Sequence, residues 1–426
     1  MPNIHEKRAL LRALQSEPDL LGLAALPLIQ AKEGRELLRW LDQSGLALSF
    51  LRRISDRGEG ADIPSEWRDA LERRRERNAI RMLDMLEEFR RLNEAFCAQG
   101  ILTITLKGFS LVPDFCEDPC DRHQTDFDLL VEPANVEGAA EVLQSLGYST
   151  ARLSRSEESC FTTPLRHIPS YKDDLYAIQH HRQVDLHVSL SESSSWTDLD
   201  VPGDCMLHAE PVTLCGVNFH AASLADRFLG QVLHAFRHSF RSWIRLSWLM
   251  EIGRCMELHG ENEALWRRVV DRAGDRLLTK RVFAFVLSLT NRLFRYRIPW
   301  QLRSWAAEGM TPSMRAWLDH FSVRWAIADW PGNLGNLFLA PEFIPDRKLR
   351  RQYVASRLLP KRAQMTIGTM AKGEKNKSVA RNLERWQYIA HRSGVHCRDL
   401  FRLPWDQLRW KRTLAAVNTD PYGLES

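Results

Sequence analysis

Four short stretches carry the residues best suited to chemistry. Asp126-Phe127-Asp128 sets two carboxylates at the head of an otherwise apolar run, Leu129-Leu130-Val131. Side chains alternate along a strand, so both carboxylates project from one face and Phe127 from the other. Two carboxylates so placed repel each other, and a hard divalent ion relieves that repulsion while taking oxygen ligands. A third carboxylate, Asp185, stands in Gln183-Val184-Asp185-Leu186-His187-Val188, with Val184, Leu186 and Val188 on the opposite face. Upstream, Ile101–Leu106 runs into Lys107-Gly108-Phe109-Ser110. There Gly108 permits close backbone approach, Lys107 supplies a point charge, and a following helix would offer free N–H groups to phosphate. An isolated Asp-x-Asp is an ordinary solvated strand end. Three carboxylates on one sheet beside a Lys-Gly turn predict a metal-plus-phosphate site.

These residues need a sheet with helices around it. From Glu6 to about Phe96 apolar residues recur at three- and four-residue intervals, which predicts helices. The last, over Ala70–Cys97, is expected to present Ile80, Met82, Leu83, Leu86, Phe89 and Leu92 as one stripe. Strands are predicted at Ile101–Leu106 and Asp126–Val131, then a helix from Val136 to Leu146 closed by Gly147. Leu175–His180 and Gln183–Val188 are spaced for a hairpin about His181-Arg182, and Val212–Leu214 and Val217–His220 for another about Cys215-Gly216. Helical periodicity resumes after Ser223, an N-cap with Asp226 three residues on. The expected fold is α+β: a small mixed sheet core flanked by N- and C-terminal helical regions. Its boundaries fall at residues 1–97, 98–222 and 223–426.

In order and spacing, Leu106-Lys107-Gly108, Arg122, Asp126-Phe127-Asp128-Leu129-Leu130-Val131, Leu146-Gly147-Tyr148 and Val184-Asp185-Leu186-His187 resemble the uncharacterised bacterial nucleotidyltransferase family of the DNA polymerase beta-like superfamily. The likeness is specific over Ile101–Leu190 and rests on helical pattern either side. It implies transfer of a nucleoside monophosphate from an NTP, ATP first among them, to an acceptor, with release of pyrophosphate. Asp126, Asp128 and Asp185 would bind Mg²⁺ or Mn²⁺ and carry catalysis. Lys107, Gly108, Ser110 and Arg122 would contact the triphosphate, with His187 an accessory. Lys107-Gly108 replaces the superfamily's commoner Gly-Gly or Ser-Ser turn. The acceptor is open among small molecule, peptide, protein and tRNA. The alternatives are a toxin-like transferase modifying tRNA or protein, and a silent nucleotide-binding or scaffold protein.

Other signals are weaker. Cys116, Cys120 and His123 lack a clear fourth zinc ligand, and eight scattered cysteines read as reduced thiols. His234 and His238 share a helix face without the glutamate of a zinc protease. Trp243 and Trp248 beside Arg241 and Arg245 fit core packing better than base stacking. The apolar runs are too short to span a membrane, and the amino terminus lacks the apolar segment of a secretory leader, so a cytoplasmic protein without membrane contact is expected. Net charge over 426 residues is +5, too slight to announce a nucleic-acid binder. From Pro341 onward, however, 18 Lys and Arg face 8 Asp and Glu. The stretch 372–388 is therefore a candidate polyanion contact.

Overall fold

The computed structural model describes residues 4–16, 31–56, 63–154, 158–163, 175–176, 182–189, 199, 202–241, 244–328, 334–359 and 379–419. The N-terminal region folds into α1 (Ile4–Ala13), α2 (Ala31–Ser44), α3 (Ala47–Asp56) and the long α4 (Ser65–Ala98). The buried stripe of α4 is Trp67, Leu71, Asn78, Arg81, Met82, Met85, Phe89, Leu92 and Phe96. The predicted stripe needs correction: Ile80 and Leu83 are 55% and 65% exposed. At about 100° per residue Leu83 is rotated well away from Met82, and Ile80 lies nearly opposite. The three- and four-residue steps of the buried set pass both by.

Seven strands among the described residues form one mixed sheet in the order β3-β4-β5-β2-β1-β7-β6. They are β1 (Ile104–Thr105), β2 (Asp126–Leu130), β3 (Ser149–Thr150), β4 (Ser159–Thr162), β5 (Gln183–His187), β6 (Glu210–Leu214) and β7 (Val217–Ala221). β2 runs parallel to β5, and β1 parallel to β7. Between β2 and β3, α5 (Val136–Ser145) ends as expected: Gly147 has φ +88, and the Gly147 and Tyr148 amides donate to Gln144 and Leu143 carbonyls.

Two strand expectations change. Ile101–Leu106 pairs only through Ile104 and Thr105. The antiparallel partner of β5 is β4, not 175–180. Leu175 and Tyr176 lie in a turn, where the Tyr176 hydroxyl donates to Asp42 at 3.0 Å, and 177–181 lie outside the described residues. β6 and β7 form the expected hairpin, with Cys215 and Gly216 both at positive φ, as a two-residue turn of matching twist requires.

The C-terminal region is helical: α6 (Leu224–Arg241), α7 (Leu246–Leu258), α8 (Glu263–Ala273), α9 (Leu277–Phe294), α10 (Trp300–Ala307), α11 (Pro312–His320), α12 (Ser322–Ile327), α13 (Ala340–Phe343), α14 (Arg347–Leu358) and α15 (Val379–Thr419). Ser223 caps α6, accepting from the Asp226 amide at 3.2 Å while its hydroxyl donates to the Asp226 carboxylate at 2.9 Å. One apolar core holds the sheet, the later turns of α4 and α5. A larger core joins N-terminal residues such as Leu10, Phe50 and Trp67 to C-terminal ones such as Phe228, Phe285 and Trp317. Among the described residues no helix is long and apolar enough to cross a membrane.

Candidate active site

The parallel pairing of β2 and β5 sets Asp126 opposite Gln183, Asp128 opposite Asp185 and Leu130 opposite His187. Neighbouring strands lie ~4.8 Å apart, so two carboxylates face one another across a single rung. Phe127 and Leu129 fix this orientation. Both are buried in the sheet core, where Phe127 stacks on Phe89 of α4 at 5.8 Å between centroids. On β5, Val184 and Leu186 are buried in that core. Turning the carboxylates inward would cost these apolar contacts.

One Asp128 oxygen gathers two nitrogens: Lys107 Nζ at 3.2 Å and His187 Nε2 at 3.0 Å. Burial opposes charging of Asp128, but the Lys107 charge and the His187 hydrogen bond hold it well below the usual carboxylate range. Its neighbours go the other way. Burial, then the Asp128 charge, pushes Asp126 up to about 6. Burial, then Asp126 and Asp128, pushes Asp185 up to about 7, although the Gln183 amide donates to both its oxygens at 3.0 and 2.9 Å. Three carboxylates on one face thus carry more negative charge than their surroundings neutralise.

The Lys107-Gly108 turn sits beside them. Gly108 has φ +70, and an added Cβ would stand 2.4 Å from the Gln124 amide. Both facts demand glycine there. The helix expected after the turn is a single 3-10 turn, Gly108–Leu111, too short to build up an end charge. Ser110 is fully buried, its hydroxyl directed to the Lys107 carbonyl at 3.3 Å. Arg227 of α6 pins the turn by donating to the Ser110 and Ala222 carbonyls and to Asp114. Arg122 is partly buried and pairs with Glu251 of α7 at 3.0 Å, while its charge still lowers the Asp126 pKa. The structure therefore brings Asp126, Asp128, Asp185, Lys107 and His187 together, with Gly108 alongside. Ser110 and Arg122 stand behind them, engaged with other groups.

Several neighbours carried no sequence signal. Gln183 holds Asp185. Glu158, just before β4, has a carboxylate 4.0 Å from His187 Nδ1. Cys160 is the register partner of Asp185, its thiol pushed up to about 12 by burial and then by Asp185. The Arg81 guanidinium donates to the Gln124 carbonyl and is lowered to about 10 by burial, then by Arg182 and Arg245. Arg227, His234 and Arg237 join Lys107 and His187 around a small cavity of about 30 Å³ against α6. Polar residues on helices far along the chain have no local pattern that points to a sheet.

The oxygen donors suit a divalent ion in chemistry and in facing. Among the described residues, however, no three His, Cys, Asp or Glu side chains already stand as a metal-holding group, Cys116, Cys120 and His123 included. At the carboxylates, Lys107 and His187 nitrogens share one Asp128 oxygen, and the Gln183 amide takes both Asp185 oxygens. The His234 and His238 rings instead pack on Trp248 at 4.4 and 4.6 Å.

A family model described as uncharacterised nucleotidyltransferase matches residues 30–295. The chain belongs to that family. The match takes in the whole sheet and all the residues above, and extends from α2 to the end of α9, well beyond Ile101–Leu190. Comparison with curated proteins and with solved structures gives no match.

Proposed function

We propose that the chain transfers a nucleoside monophosphate from an NTP, ATP first, to an acceptor group, using Mg²⁺ or Mn²⁺, as a member of the DNA polymerase beta-like superfamily. The observation that supports this best is the register of β2 on β5, which sets Asp128 opposite Asp185 with Asp126 two residues before, beside Lys107-Gly108. Asp126, Asp128 and Asp185 would hold the metal, which when bound neutralises charge on the transferring phosphate.

The chain's own groups take the remaining roles. Lys107, whose ammonium lies 3.2 Å from Asp128, would direct that charge to triphosphate oxygens. Gly108 lets the backbone approach them, and Ser110 and Arg122 support the turn and the carboxylates. His187 keeps Asp128 oriented. Asp185 accepts the proton from the acceptor group. The acceptor oxygen then bonds to the α-phosphorus, the bond to the β-phosphate oxygen breaks, and pyrophosphate leaves with that electron pair. The helical regions 1–97 and 223–426 would select the acceptor.

Incubation with each α-labelled NTP, metal and a lysate split into protein, RNA and small-molecule fractions tests the proposal. Label in one fraction, absent with Asp126→Asn or Asp128→Asn, is the expected result and names the acceptor class. Unchanged labelling in both variants would overturn the site. No label with NTP still bound would identify a silent nucleotide-binding protein instead.

A further inference from the structure

A larger cavity lies away from the carboxylates and shares no residue with them. It measures about 410 Å³ and opens between α1, α9, α11, α12 and α15. Its walls carry Arg8, Arg12, Arg292, Arg324 and Arg409, with Asp319 the one acidic residue among the lining. Asp319 pairs with Arg292 at 2.6 Å. Arg324 pairs with Asp406, which is largely covered. Five guanidiniums line this concave surface, and cations gathered in a concavity attract anions.

The cavity continues onto α15. On that helix Trp405 and Arg409 are four residues apart, hence neighbours on one face. Phe401, Trp405 and Leu408 are 80%, 74% and 51% exposed, and helical spacing puts them along one crest. Arg398, Arg402 and Arg409 follow the flank of this crest on the side of the cleft, and Arg412 lies on the crest itself. Trp410 and Val395, on the other side, are buried. So large an exposed aromatic crest is unusual on a soluble surface unless something covers it.

We propose that this cleft and crest bind single-stranded RNA, the phosphates in the arginine-lined cleft and unpaired bases on Phe401 and Trp405. Arginines tracking a backbone beside exposed aromatic rings are the two components such binding needs. A membrane surface fits less well, because half of the cations line a concavity that a bilayer cannot enter. A small polyphosphate fits less well too, because the cationic face and its aromatics run on beyond the cavity. Of the expected contact at 372–388, residues 372–378 lie outside the described residues and 379–388 begin α15; the surface inferred here is a different one.

The test is fluorescence anisotropy of the full chain with a labelled single-stranded RNA 20-mer across a salt series, with neither NTP nor metal present. It is therefore independent of nucleotidyl transfer. The wild type should bind, and Arg8→Glu/Arg12→Glu/Arg409→Glu should bind at least tenfold more weakly with a flatter salt slope. Trp405→Ala should weaken binding about fivefold or more with the slope unchanged, since stacking releases no ions. These positions are exposed, and a thermal melt confirms folding. Absence of RNA binding by the wild type, or wild-type affinity in the triple variant, would overturn the proposal. So would tripolyphosphate binding that displaces RNA while Trp405→Ala is silent, or vesicle binding with phosphatidylserine that depends on Trp405 when RNA binding does not.

Discussion

His187 Nε2 stands 3.0 Å from Asp128 Oδ1, so a residue from β5 holds the central carboxylate of β2. Across the parallel pair, His187 sits opposite Leu130 and reaches back along its own face to the rung below. Removing a group that orients a metal-binding carboxylate typically costs 10–100-fold in activity or metal affinity. His187→Ala should therefore lower labelling rate by about that factor and raise the metal concentration for half-maximal rate. His187→Asn, which can still donate to Asp128, should recover part of both. Titration of initial rate against Mg²⁺ reads the two effects separately.

Gly108→Ala tests the turn. The substituted residue would meet both the left-handed φ of +70 and the Gln124 side chain, and such backbone strain costs about 1–3 kcal/mol. Urea unfolding should show that loss. Gly108→Ala/Gln124→Ala should regain only the part due to the clash, because the backbone strain remains.

The pH dependence of the metal-free protein has a defined sign. Asp126 and Asp185 have folded pKa values raised above the ordinary aspartate value of 3.8, to about 6 and about 7. The folded chain then binds more protons than the unfolded chain between these values, so stability falls as pH rises from about 4 to about 7. Asp128 is shifted the opposite way; its contribution is complete once pH exceeds 3.8 and is level across that window. Thermal melting in EDTA should give a Tm several degrees lower at pH 8 than at pH 5. Asp185→Asn should shrink that gap, and so should added Mg²⁺, which favours the ionised carboxylates.

The Arg122–Glu251 pair fastens the loop ahead of β2 to α7, and Gln231 donates to the second Glu251 oxygen at 3.1 Å. Glu251→Ala strands a partly buried guanidinium and should cost about 3–5 kcal/mol. The apolar double replacement Arg122→Met/Glu251→Leu should be far milder. Denaturant midpoints of the two variants decide whether the pair acts through charge or through packing.

The sheet core was legible where local pattern and tertiary demand agree. Asp126-Phe127-Asp128 reads correctly as a strand head because Phe127 and Leu129 must be buried, and that alternation also fixes the carboxylate face. Asp185 and His187 follow by the same rule. The pairing of β5 was not legible. Ser159-Cys160-Phe161-Thr162 is four residues long with one buried apolar side chain, Phe161, too short to outweigh the nearer Leu175–His180 as a hairpin partner. The α4 stripe was misread at Ile80 and Leu83 because apolar type alone does not set phase. Partners such as Arg245, Arg227 and Glu251 reach the site from helices a hundred residues downstream, and no spacing in a linear chain encodes that.

The long helix α4 belongs to both apolar cores: Trp67 and Leu71 lie in the larger one, and Met82, Met85, Phe89, Leu92 and Phe96 in that of the sheet. A rod anchored at both ends couples what happens at either. Loosening the helical bundle, by a ligand, a truncation or heat, must tilt or fray the same helix against which Phe127 packs, and with it the strand that carries Asp126 and Asp128. It also orders assembly on the ribosome. Leu10, Phe50 and Trp67 are synthesised long before Phe228, Phe285 and Trp317, so the amino-terminal helices emerge without the partners that cover them. The chain completes its fold only when its second half arrives, and an excised sheet would carry α4 with Trp67 and Leu71 bare.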